Sequence, residues 1–210
     1  MSVAEKQFLR KRHESSEKVL EAILRASADE FAAHGFAGAS TRNIAEGAGV
    51  FQAQIGYHVG NKDELWKRTI DRLFERLRAN LDEGLAGSLD TAVIDPVSVF
   101  AEIIRRHVHH TAQHPQLHRI MAMEASVSSV RTKYLLNNHV RPVIAALQLT
   151  WADVQSCGHG LDKSAEDVFL MMISLAPVPF VQAPLIRPLL GKDFCTPVIH
   201  AEKVVKWILG

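Results

Sequence analysis

Apolar side chains recur along most of this 210-residue chain at the three- and four-residue intervals of helices facing a core. The first run follows Ser15 and Ser16, either of which can cap it. Leu20, Ile23, Leu24 and Phe31 share its apolar face. Gly35 is expected to end it in a left-handed conformation, with Phe36 folding back as the hydrophobic residue of a Schellman motif. Ser40 caps a two-turn helix, Thr41–Ala48, with Ile44, Ala45 and Ala48 on one face. Gly47 and Gly49 are expected to let the chain reverse, Val50 to enter a small core, and Gln52–His58 to form a third helix that is polar over most of its surface. Helices this short are marginal alone and need the first helix to pack against. Asn61, with Glu64 three positions on, gives the capping box of a fourth helix. Its apolar positions Leu65, Trp66, Ile70, Leu73, Phe74, Leu77 and Leu81 run over some 20 residues, enough to join a small domain to a larger one.

Past Gly84 and Gly87 the pattern changes to longer amphipathic runs at 97–113, 115–127, 130–151, 163–176 and 198–209. No strand-like alternation or repeat interrupts them, so the expected fold is all-α, with an N-terminal domain over 1–62 and a helical domain over 63–210. The segment 168–186 has no charged residue, which approaches the length of a membrane span. Pro177, Pro179 and Pro184 break it, so it reads as a buried helix ending near Ala176 followed by an irregular segment, and no membrane is expected as a partner.

Composition narrows the classes. A hydrophobic content of 47% in a chain of this length supports a full core and excludes disordered and fibrous classes. The net charge of +1 does not advertise a polyanionic partner, but it hides local patches. Lys6, Arg10, Lys11 and Arg12 make residues 1–13 a basic arm, read as a solvated tail, with phosphate or minor-groove contact as the alternative. Cys157 and Cys195 are too few for a disulfide framework, and the N-terminus lacks the apolar core of a signal peptide, so a reduced, cytoplasmic protein is expected.

A helix-turn-helix needs one helix across the DNA backbone, a tight turn, and a second helix whose outward side chains enter the major groove. Residues 41–58 supply those parts in order. Gln52 and Gln54 carry amides suited to adenine edges, Tyr57 and His58 can reach phosphates, and Arg42 and Lys62 flank the unit at helix N-termini suited to phosphate. With Thr41 and Ala53 these residues form the candidate DNA-contacting set. ILRASADEFAAHGF, STRNIAEGAGV, the Tyr57–His58 pair and NKDEL together resemble the N-terminal domain of the TetR family of transcriptional repressors across about 50 residues.

The resemblance implies a homodimer that binds a near-palindromic double-stranded DNA operator and is released by a small-molecule effector, with no catalytic activity and no cofactor. Three residues depart from the family pattern: Phe51 where a small polar cap is usual, Gly56 where a bulkier residue is common, and Val59 in place of Phe. Gly56 costs up to about 1 kcal/mol relative to Ala within a helix. SVRTKYLLNNHVRPVIAAL and HAEKVVKWIL resemble the regulatory domains of a TetR subgroup in which the last two helices build the dimer interface. The stripes Val168, Phe169, Met172, Ile173 and Val204, Val205, Ile208 are then interface candidates, although a protomer core has the same pattern.

For the effector, Phe100, Ile104, Met121, Met123, Trp151, Phe169 and Met172 supply large, adaptable side chains, with His107 and His110 as polar anchors, so a largely apolar ligand is expected. The rival reading is a small all-α metal-binding protein or enzyme. His107, His110 and His114 have the spacing of one helix face, and Glu102 or Glu124 are possible further ligands. Histidines without cysteine partners are more often structural. Cys157 and His159 suggest a nucleophile and base, but they sit in a glycine-flanked turn with no third group. Cys195, between Asp193 and Pro197, reads as loop.

Overall fold

The computed structural model describes residues 3–88, 95–191 and 196–210, and every regular element among them is helical. Cys195 lies outside the described residues. The chain divides into two compact units, Met1–Leu73 and Phe74–Gly210.

In the first unit, α1 (Val3–Gly38) begins well before the expected caps Ser15 and Ser16. The stretch AEKQFLRKR consists mostly of strong helix formers, so the basic arm continues the helix. Gly35 interrupts α1 as expected, but its φ of 65° is combined with ψ of 178°, an extended value that departs from the Schellman ending. Phe36 still turns onto the core and stacks on Phe31 with ring centroids 6.2 Å apart. Helices α2 (Thr41–Ala48) and α3 (Gln52–His58) fall where the pattern puts them.

The reversal between them rests on Gly49 alone, at φ 67° and ψ 34°, whose N–H bonds the carbonyls of Ala45 and Glu46. Gly47 lies inside α2 and faces α1, where a Cβ would stand 3.4 Å from that of Ala26. In α4 (Lys62–Ser88) the Asn61 side chain accepts from Glu64 N at 2.9 Å, while the Glu64 carboxylate pairs with Lys67 instead of closing the box. Leu65, Trp66, Ile70 and Leu73 of α4 are buried with Ile23, Phe31, Ile44, Ile55 and Val59. The first turns of α4 therefore complete the N-terminal core, and the unit boundary falls inside this helix, past the expected position at 62 and 63.

The second unit holds α5 (Pro96–Gln113), α6 (Gln116–Ala125), α7 (Val130–Leu135), α8 (Arg141–Ser156), α9 (Ala165–Leu175), α10 (Val178–Val181), α11 (Ala183–Leu190) and α12 (Pro197–Leu209). Asp95, Ser129 and Ser164 cap α5, α7 and α9 through their side chains. The residues after Ala176, expected to be irregular, form the two short helices α10 and α11. Pro179 and Pro184 sit at first-turn positions, where a missing N–H costs nothing. No single described helix is long and apolar enough to cross a membrane; the pair Ala165–Val181 and Ala183–Leu190 passes that length and composition test only together, across a bend of 79°.

The core joins Phe100, Ile104 and Val108 of α5, Trp151 and Val154 of α8, Val168 of α9, and Val204 and Ile208 of α12. This corrects the interface stripes: Val168, Val204 and Ile208 are fully buried within the protomer. The exposed apolar residues of the same helices are Leu170, Val198, Ile199 and Trp207.

Trp151 anchors this core. Its indole N–H donates to the Lys163 carbonyl at 2.9 Å, and its ring lies 5.2 Å from that of Phe100. Gly160 lies against it at φ 59°, where a Cβ would come within 2.2 Å of the indole. Replacing Gly160 with Ala adds both a ring overlap and an unfavourable φ. It is expected to cost about 3 kcal/mol or more, seen as a large drop in thermal midpoint.

Candidate DNA-facing surface and regulatory cavity

Helix α3 is held by few residues and presents many. Ile55 and Val59 are buried, whereas Phe51, Gln52, Ala53, Gly56 and Tyr57 are exposed, Phe51 and Tyr57 at 83% and 80%. A Cβ at Gly56 would touch nothing, so this departure leaves the outer face of α3 open. Val59, in place of Phe, still fills its position in the core.

Phe51 has no side chain able to cap α3. The helix start is supported from inside, because Gln54 Oε1 accepts from Phe51 N at 3.0 Å, the half of a capping box that a residue at this position can make. The Gln54 amide is thus engaged in starting its own helix. Gln52 Nε2 donates to Thr41 Oγ1 at 3.0 Å, which joins the starts of α2 and α3 into one polar strip. Ser40 caps α2, and Glu30 Oε1 holds both Ser40 N at 2.9 Å and Asn43 Nδ2 at 3.2 Å. Arg42 projects from the first turn of α2 with its side chain exposed. Tyr57 and His58 meet edge to face at 5.1 Å.

Lys62 has a local task. Its ammonium donates to the carbonyl of Ala39 at 2.5 Å and of Ala37 at 3.5 Å, and it sits 4.9 Å from the centre of the Phe36 ring. It fastens the start of α4 to the chain between α1 and α2, so most of its donor capacity serves the fold. Arg72 makes a second tie, to Glu21 at 2.9 Å.

The second unit contains a cavity of about 380 Å³. Its wall includes Phe74, Leu77 and Leu81 of α4, Phe100, Ile103 and His107 of α5, Leu117, His118 and Met121 of α6, Val143 and Leu147 of α8, and Phe169, Met172 and Ile173 of α9. Phe100, His107, Met121, Phe169 and Met172, candidates for an effector site in the sequence, line this cavity. Ile104 and Trp151 do not: both belong to the closed core, and Ile103, the preceding residue on α5, takes the place at the wall. Met123 is exposed, and His110 is buried against His114 at a ring distance of 5.0 Å, away from the cavity.

His118 and His139 are the wall residues that periodicity could not assign. His139 comes from a π-helical turn, Leu136–Val140, between α7 and α8. Pro142 explains this turn: it has no N–H for the helix ladder and its ring crowds the preceding carbonyls, so the backbone widens. Asn138 Nδ2 meanwhile donates to the Tyr134 carbonyl at 2.9 Å. The His139 ring stacks on Phe74 at 4.2 Å, and its Nδ1 accepts from the exposed Arg78 guanidinium at 3.2 Å.

Burial pushes the His107 imidazole down to about 3, with further lowering from His118 and His110; a backbone hydrogen bond at Met172 opposes this. His118 falls to about 4 through burial and the charge of His110. His110 falls to about 4 through burial, His114 and Arg76. All three are neutral near pH 7.

Among the described residues no three histidine, cysteine, aspartate or glutamate side chains come together in a way that would hold a metal. Glu102 pairs with Arg106 at 3.0 Å, and Glu124 with Arg131 at 3.0 Å. His159 Nδ1 meets the Leu209 carbonyl at 3.2 Å, while the Cys157 thiol lies 4.0 Å from Ser156 Oγ, so the structure does not assemble them as nucleophile and base.

Residues 23–69 match the family of bacterial regulatory proteins described as the tetR family. No curated protein matches the chain in sequence. Among solved structures, the fatty acid degradation regulator FadR from Bacillus halodurans is similar at 16% identity, over 91% of this chain and 95% of that one, with a TM-score of 0.70. HlyIIR, a hemolysin II transcriptional regulator, is similar at 17% identity, over 93% and 99%, with a TM-score of 0.67. At such identities the likeness establishes the fold.

An unfolded imidazole titrates near 6.5, while the three buried ones stay neutral down to about 3 or 4. Between these values the unfolded chain binds more protons, so stability present above pH 6.5 is lost as pH falls toward 4. The thermal midpoint is expected to drop across this window, and less steeply in His118→Phe. An equal slope in the variant would show that the titration lies elsewhere.

Proposed function

The chain carries the N-terminal domain of the TetR family, a DNA-binding regulator of transcription, and from this premise we propose that it is a repressor that binds a near-palindromic operator as a homodimer and leaves it when a small molecule enters the cavity. The observation that carries this reading is α3, whose inner residues Ile55 and Val59 are buried while its outer face is free for a major groove. Gln52, with Thr41 beside it, is the base-reading candidate, and Ala53 is small enough for close approach to a thymine methyl. Arg42, Tyr57 and His58 serve phosphates. Gln54 and Lys62 act mainly by fixing the start of α3 and of α4. Work on DNA implies a cytoplasmic location.

Exposed apolar residues support the second copy. Leu170 of α9, Leu185 and Leu189 of α11, and Val198, Ile199 and Trp207 of α12 all face solvent in the protomer, apolar surface that a second copy would cover. A two-fold dimer reads half-sites at a fixed separation, and an effector that favours another separation weakens binding in proportion to its preference. The cavity's apolar wall suits a largely apolar effector.

The reading is tested by gel shift of the protein on its own promoter DNA across salt concentrations, with random DNA as competitor. Competitor-resistant binding is expected. Arg42→Ala should weaken binding to all sequences and reduce the salt slope by about one, whereas Gln52→Ala should alter preference at one base position. Binding no tighter than to random DNA would refute the specific regulator. Sedimentation tests the dimer: the wild type is expected at twice the protomer mass, and Leu170→Asp combined with Trp207→Asp should shift it toward monomer. A wild-type monomer would remove the symmetric operator from the account.

A further inference from the structure

The cavity wall is apolar except for a few groups whose chemistry is specific. His107 and His118 lie edge to face with ring centres 5.2 Å apart, at 6% and 8% exposure, and both line the cavity. Each keeps one buried nitrogen without a hydrogen-bond partner, Nε2 on His107 and Nδ1 on His118. Leaving such a group unsatisfied is costly, so two of them at one apolar wall call for an explanation.

A neutral imidazole carries one N–H and one lone pair, so each unpartnered nitrogen needs either an acceptor or a donor opposite it. A carboxylate only accepts, and it brings a charge that an apolar wall does not compensate. The cation at the wall, Arg78, is exposed, already engaged with His139, and accompanied by Asp82 on the same helix. A hydroxyl both donates and accepts, so one such group can serve an N–H on one of the two rings and a lone pair on the other together.

We propose that the cavity takes an uncharged apolar molecule bearing a hydroxyl group, with that hydroxyl held between Nε2 of His107 and Nδ1 of His118. This names the ligand class of the effector site and rests on the reading of the cavity as that site.

The test is calorimetric titration of the full chain, without DNA, with 1-octanol, 1-methoxyoctane and octanoate. The three share an apolar tail and differ in the head: donor and acceptor, acceptor alone, and anion. Octanol is expected to bind about tenfold more tightly than the ether, and more tightly than octanoate. In His107→Phe, octanol affinity should fall to that of the ether while ether affinity stays the same. The wild-type series decides the matter even if the variant folds poorly. Equal binding of alcohol and ether, tightest binding of octanoate, or binding of none of the three would overturn the proposal. Because no DNA is present, these outcomes are independent of the gel shift. A chain that binds octanol but no DNA would refute the regulator and leave the cavity assignment standing.

Discussion

Helices of eight and seven residues do not persist in water by themselves, because the cost of starting a helix is spread over too few hydrogen bonds. Everything this chain presents on α2 and α3 therefore depends on one small apolar core: Ile23 and Phe31 from α1, Ile44 from α2, Ile55 and Val59 around α3, and Leu65, Trp66 and Ile70 from α4. Burial of those side chains takes the place of intrinsic helix stability. It also leaves the outer face of α3 exposed, at Gln52, Ala53, Gly56 and Tyr57. The polar ties around this core have the same purpose. Glu30 holds the start of α2, Gln54 starts α3 where Phe51 cannot, and Lys62 clamps the start of α4 to two carbonyls and an aromatic ring.

The second unit obeys a different constraint. Its core around Trp151 is closed, whereas its other apolar side remains concave, because a proline-driven π turn brings His139 to the wall and α6 sets His118 beside His107. Burial keeps those imidazoles of α5 and α6 uncharged, which makes them hydrogen-bonding groups inside an apolar space instead of cationic ones. Selectivity in such a site comes mostly from polar groups left without partners, since an apolar wall alone discriminates poorly between molecules of similar shape.

Much of this was legible in the sequence. The spacing of Ile44 and Ala45, the cap at Ser40 and the glycine at 49 located α2 and α3 to the residue, because local rules of capping and turning govern both ends of short helices. The start of α1 was missed, since helix propensity of the basic arm outweighed the attraction of a serine cap. Periodicity could not separate Ile104 from Ile103, because adjacent positions on α5 face different neighbours, a closed core and a cavity. Nor could it separate interface from core on α9 and α12, where both present the same stripe. The roles of Gln54 and Lys62 depended on partners three and 23 residues away along the chain, and in Lys62 the partner is a backbone carbonyl that leaves no trace in the sequence.

The central claim is that α3 reads DNA sequence from a symmetric pair of protomers. Selection of bound fragments from a randomised double-stranded DNA pool tests it most directly, because the pool contains every candidate half-site and favours none. The account predicts enrichment of an inverted repeat with half-sites about one helical turn or a multiple of it apart. A pool that stays random after selection, or yields a lone half-site with no symmetric counterpart, would contradict it.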